Sequence, residues 1–139
     1  MRNPFESRSS HEAKVRAKIT EAIRRDDPLE VGGLIIDESG GYKQHGTPKQ
    51  KKAFKLFLEA LRDYAKANEI SEDSVELNMV NILHDRTAPV QNRFILQWKE
   101  VIRMQFPTGE ATFDEAYAEV FPKPTPGAES KTAADKESS

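Results

Sequence analysis

Apolar positions recur at helical spacing in five stretches of the chain, and most of these stretches open on a residue that can cap a helix. Ser9 stands three positions before Glu12, a capping-box spacing. Val15, Ile19, Ala22 and Ile23 then share one face, and Pro28 closes the run. This predicts a helix over 10–25. Thr47, Pro48 and Gln50 follow the same grammar, with a cap, a proline at the first helical position and a glutamine three after the cap. Phe54, Phe57, Leu58, Leu61 and Ala65 make the stripe of a second helix over 48–68.

Ser71, with Glu72 and Asp73 behind it, predicts a third helix over 72–84, striped by Val75, Met79, Ile82 and Leu83. Acids in a first turn suit the positive end of a helix dipole. Pro89 begins a fourth over 89–106. It carries Val90, Phe94, Ile95, Trp98, Val101 and Ile102 and is apolar around most of its circumference, which predicts a buried central helix. Thr112 precedes a short fifth helix over 113–120, with Phe113, Ala116, Tyr117 and Val120 on one side. The expected core is Ile19, Ile23, Phe54, Phe57, Leu58, Leu61, Val75, Met79, Ile82, Leu83, Phe94, Trp98, Val101 and Ile102.

One stretch breaks the helical period. In "EVGGLIIDESGGYKQHG", two glycines precede Leu34, Ile35 and Ile36, and two more follow at Gly40 and Gly41. The pattern predicts a loop or small β-hairpin within 31–46, with strands at 34–37 and 42–45. A short helix through 28–36 is the competing reading. The whole is expected to be mainly α, a compact bundle of about five helices spanning 10–121, after a flexible start at 1–9. Residues 122–139 hold prolines and then only small or charged side chains. They cannot bury enough apolar area to offset ordering entropy, which predicts a disordered tail.

Composition narrows the chemistry. The absence of cysteine excludes disulfides, thiolate metal sites and thiol nucleophiles. The start lacks the apolar run of a signal peptide, and no run approaches the ~20 residues needed to span a bilayer. A cytoplasmic protein with no membrane contact is expected. The net charge of −2 is laid down in alternating blocks. Residues 1–25, 41–66 and 86–106 are net basic, and the segments between and after them are net acidic. Such blocks predict separate basic and acidic faces.

Gly41 and Gly46 have the separation of a phosphate-binding loop, but Thr47 and Pro48 stand where that loop needs Lys and Ser or Thr. Pro48 also removes a backbone donor. The neighbouring cations make a better candidate. Lys43, His45, Lys49, Lys51, Lys52 and Lys55 gather around a predicted helix N-terminus, a place that favours anions. Tyr42 could stack on a base, and Arg93 and Arg103 could extend the patch toward DNA or RNA.

The short turn before "VQNR" resembles a helix-turn-helix in outline, but the fourth helix lacks a polar reading face and its predecessor is acidic. Catalytic constellations are thin. Asp37 and Glu38 are adjacent, His84 and Asp85 end a predicted helix, and no metalloprotease or nucleophile-elbow motif occurs. No enzyme activity, metal or cofactor is expected. Phe113, Tyr117, Val120 and Phe121 recur with the spacing of a helix laid in a partner's groove.

These features favour a small non-enzymatic binding or regulatory protein acting through protein–protein contact or self-association. The size and charge blocks would suit an accessory factor of a phage or mobile element. Nucleic-acid binding through the Lys43–Lys55 stretch is the alternative.

Overall fold

The structure is a computed structural model and describes residues 8–41, 45–74 and 89–122. These form α1 (Arg8–Arg24), α2 (Pro28–Ser39), α3 (Pro48–Ala67), α4 (Val90–Arg103) and α5 (Glu110–Val120). Single 3-10 turns lie at Glu72–Ser74 and Pro107–Gly109, and no strand occurs among the described residues. No described helix is long and apolar enough to cross a membrane.

The centre of the bundle is α3. Each of the other four helices packs on it, α5 most extensively. Its apolar positions spread beyond one stripe: Ala53, Phe54, Leu56, Phe57, Leu58, Ala60 and Leu61 are all buried. Each large side chain withdrawn from water contributes about 1.5–3 kcal/mol, which is why this helix, and not α4, holds the middle. The expectation of a central α4 is therefore corrected. Phe94, Trp98 and Ile102 are buried, but Ile95, Leu96 and Val101 stay half-buried.

The hairpin expected within 31–46 is replaced by α2. Asp27 caps it, its side chain accepting from the Glu30 N–H at 3.2 Å, and Pro28 takes the first helical position. Val31 and Ile35, one turn apart, have no exposed surface, so tertiary burial overrides the β preference of the Ile35–Ile36 pair. Gly40 ends the helix at φ 87°, in the left-handed region that glycine enters freely. Its N–H donates to Asp37 O, and the Gly41 N–H donates to Ile36 O at 3.0 Å. The glycine pair thus stops a helix, a use with the same positive-φ requirement as a hairpin turn.

Other boundaries also move. α1 begins at Arg8, which puts Ser9 inside the helix rather than at its cap. α5 begins at Glu110, fed by the Pro107–Gly109 turn, so Thr112 is not its cap. Of the helix expected over 72–84, Glu72–Ser74 is a 3-10 turn. Residues 75–84, with the expected core positions Val75, Met79, Ile82 and Leu83, lie outside the described residues, as does the tail from 123. The expected core positions on α1, α3 and α4 are buried except Val101. Val31, Ile35, Phe106 and Phe113 join them.

Candidate functional site

The start of α3 is built as its sequence suggests. Thr47 Oγ1 accepts from the Gln50 N–H at 3.0 Å. Gln50 Oε1 reaches back to accept from the Gly46 N–H at 2.8 Å. Gln50 is almost fully buried, and a methyl group at Gly109 would stand 2.9 Å from its Nε2. The Pro107–Gly109 turn therefore closes over the cap, and Thr108 Oγ1 lies 2.9 Å from His45 Nδ1. Since Thr47 O also accepts from the Lys51 N–H, the donors an anion would use are largely engaged.

The basic side chains diverge from one another. Lys51 and Lys55 both reach Glu119 on α5, Lys55 at 3.0 Å, and Glu115 is 3.9 Å from Lys51. Lys52 points the other way, to Glu12 on α1 at 3.2 Å. Arg103 grips Asp114 through two hydrogen bonds of 2.9 and 3.1 Å, with Glu110 3.7 Å away. Arg93 is buried and forms a bidentate pair with Glu72 at 3.0 and 2.6 Å. Lys49 alone of the described lysine candidates makes no ion pair with a described residue, and Lys43 lies outside them.

The electrostatics follow the pairing. The hydrogen bond to Glu119 raises the pKa of Lys51, and the bonds from Lys51 and then Lys55 lower that of Glu119. Asp114 raises Arg103 in the same way. Among the described residues, Lys51, Lys55, Arg93 and Arg103 of the basic blocks therefore meet carboxylates of the acidic blocks across the seams between elements.

A cleft of about 870 Å³ beside this region is lined by His11, Glu12, Glu38, Lys49, Lys52 and the apolar Pro48, Ala53 and Leu56. His11 Nε2 sits 3.0 Å from Glu38 Oε1, and Lys52 is held by Glu12, so most of its charge is internally matched. Among the described residues no group of three or more His, Asp or Glu side chains is placed to hold a metal ion. His84 and Asp85 lie outside them.

The terminal helix is mostly interior. Phe113 has no exposed surface and Val120 is buried, both against the bundle. Tyr117 and Phe121 are half-buried and stacked with centroids 4.9 Å apart, and Lys99 Nζ stands 4.4 Å over the Tyr117 ring. Burial, then a nearby Glu100 charge, raises the Tyr117 pKa. Only two of the four proposed docking side chains reach the surface.

A different apolar surface emerges where α2 meets α4. Gln105 Nε2 donates to Pro28 O at 3.0 Å. On either side of that bond in sequence stand Leu29 and Met104, 78% and 70% exposed, the two large apolar side chains left in solvent among the described residues. At the same junction a cleft of about 240 Å³ is lined by Asp26, Pro28, Gln97, Trp98 and Val101, and Leu29 follows Pro28 in sequence. Met104 follows Val101 by one turn and so falls on the same side of the helix. The sequence signal was available: Leu29 lies off the Val31–Ile35 stripe, and Met104 lies off the Phe94–Trp98–Ile102 stripe.

In comparisons with known proteins, no protein-family model, no curated protein and no solved structure matches this chain.

Proposed function

We propose that the protein is a non-enzymatic binding module that docks another protein at the α2–α4 junction. The observation that carries this reading is the exposure of Leu29 and Met104, which adjoin the cleft-lining Pro28 and Val101 in sequence, whereas the other large apolar side chains among the described residues are buried or half-buried. Exposed apolar side chains next to the lining of a concavity favour an interaction site, whereas scattered single ones need no explanation. The nucleic-acid alternative draws less support, because Lys51, Lys52, Lys55, Arg93 and Arg103 all hold carboxylates of the same chain.

The test places a photo-crosslinking side chain at position 29 or 104 of the full chain in its native cell, with position 18 on α1 as control. A protein captured from 29 and 104 but not from 18 is then purified and titrated against the recombinant chain. Saturable binding that Leu29→Asp with Met104→Asp abolishes supports the reading. No capture above the control overturns it. Binding to generic DNA or RNA that weakens steeply with salt and is lost in Lys49→Glu would favour the alternative.

A further inference from the structure

Resting on that reading, we infer that the cleft takes one apolar anchor side chain from a partner segment that also carries a lysine or arginine beside the anchor. The volume comes first. About 240 Å³ falls below the ~300–1,000 Å³ of pockets that enclose small molecules and cofactors. The space suits a single large side chain. Its walls suit an apolar one: Trp98 is buried with its surface turned to this cleft, and Pro28 and Val101 face it. Leu29, next to Pro28, and Met104, one turn past Val101, offer further apolar surface to the segment that carries the anchor, and the unbranched, polarisable methionine adapts readily to its shape.

Charge gives the second half of the partner's description. Asp26 lines the cleft, and Glu30 is one residue beyond Leu29. Both are exposed, and neither makes an ion pair with a described residue. Their situation contrasts with Glu12, Glu59, Asp114 and Glu119, each of which holds a basic side chain of another helix. Asp26 is also held at φ 57°, a conformation in which glycine or asparagine is more at ease. Its backbone is fixed there by Asp26 N–H to Ile23 O at 3.0 Å and Asp27 N–H to Ala22 O at 2.9 Å. The carboxylate is thus presented at the cleft edge from a rigid corner.

A basic residue next to the anchor would meet Asp26 at the cleft edge as the anchor enters, with Glu30 adding to the negative charge nearby. A second copy of this chain, docked symmetrically through the same face, would instead bring two acidic rims into one interface, where like charges oppose each other.

The experiment selects an unbiased library of displayed short peptides against the full chain, then measures one enriched peptide by isothermal titration. Circular dichroism follows the fold of each variant. The expected consensus is a large aliphatic or aromatic residue with Lys or Arg within one helical turn. Affinity falls by about tenfold or more in Leu29→Asp with Met104→Asp. It falls about threefold in Asp26→Asn with Glu30→Gln, which also flattens the salt dependence.

Enriched peptides without a basic residue, or with affinity indifferent to the Asp26→Asn and Glu30→Gln changes, overturn this inference while leaving the docking reading standing. Enrichment that is the same on the Leu29→Asp, Met104→Asp chain, or none at all, removes both. A dimer in sedimentation that those two changes dissociate also overturns the inference, with a second copy as the occupant.

Discussion

Phe54 of α3 and Phe113 of α5 meet edge to face, their ring centroids 5.0 Å apart at 66°. Phe106 approaches the same Phe54 ring at 5.1 Å and 81°. One ring on the central helix thereby fixes both the Pro107–Gly109 turn and the terminal helix, and such aromatic pairs add to simple burial. Phe113→Ala should destabilise the fold by about 3–5 kcal/mol, from lost contacts and the cavity left behind. Urea denaturation followed by circular dichroism measures it. A change within about 0.5 kcal/mol, the usual effect of a surface substitution, would show that Phe113 does not hold the core together.

Two neighbouring glycines should respond differently. Gly33 has open space around a would-be methyl group, and it sits inside α2, so Gly33→Ala should stabilise by about 0.5–1 kcal/mol. At Gly32 the same methyl would overlap Gln105 Oε1. Gln105 would have to withdraw and give up its bond to Pro28 O. Gly32→Ala should therefore lose stability relative to Gly33→Ala. In a Gln105→Ala background the two should converge, and a persistent gap there would mean that the close approach is not what distinguishes them.

The legible parts of this fold were those specified by neighbours in sequence. Thr47, Pro48 and Gln50 fix where α3 starts, because each acts within one turn. Ile19, Phe54 and Trp98 lie on their own helical stripes and are buried accordingly. α2 was harder, since Gly40 and Gly41 satisfy a hairpin and a helix stop equally well. What decides between them is Asp27 and Pro28, which end α1 and start α2 together, and the burial of Val31 and Ile35 by other helices. The lysine cluster was misleading for a related reason. Lys51 and Lys55 share one side of α3, but the Glu119 that neutralises them comes from the last helix and is invisible in local spacing.

The cap of α3 offers a test of how tightly Gln50 is built in. Thr47→Ala removes one side-chain acceptor and should cost about 1 kcal/mol. Gln50→Ala should cost more, because it orphans the Gly46 N–H and opens space against Gly109. The double variant should cost less than the sum, since both side chains serve one structure. Thermal denaturation of the four proteins measures the coupling. Strict additivity would show that the two contacts are independent.

Glu119 supplies a pH dependence whose sign is fixed by its partners. The Lys51 hydrogen bond, then that of Lys55, holds its folded-state pKa below the ordinary glutamate value. A depressed carboxyl pKa contributes stability that is present above the unfolded pKa and is lost as pH falls through the folded one. Lys51 is shifted the opposite way, so its share is full below the ordinary lysine value and is lost as pH rises through the raised one. The seam between α3 and α5 should therefore hold steady across neutral pH and weaken at both extremes. Carbon-detected magnetic resonance of the Glu119 carboxyl should give a midpoint below that of a free glutamate. Lys51→Gln should move the midpoint upward. Added salt should do the same, because the pair is solvent-exposed and screened. An ordinary midpoint in the unaltered chain would mean that the two lysines spend their time away from Glu119, and would return them to the pool of cations available for a ligand.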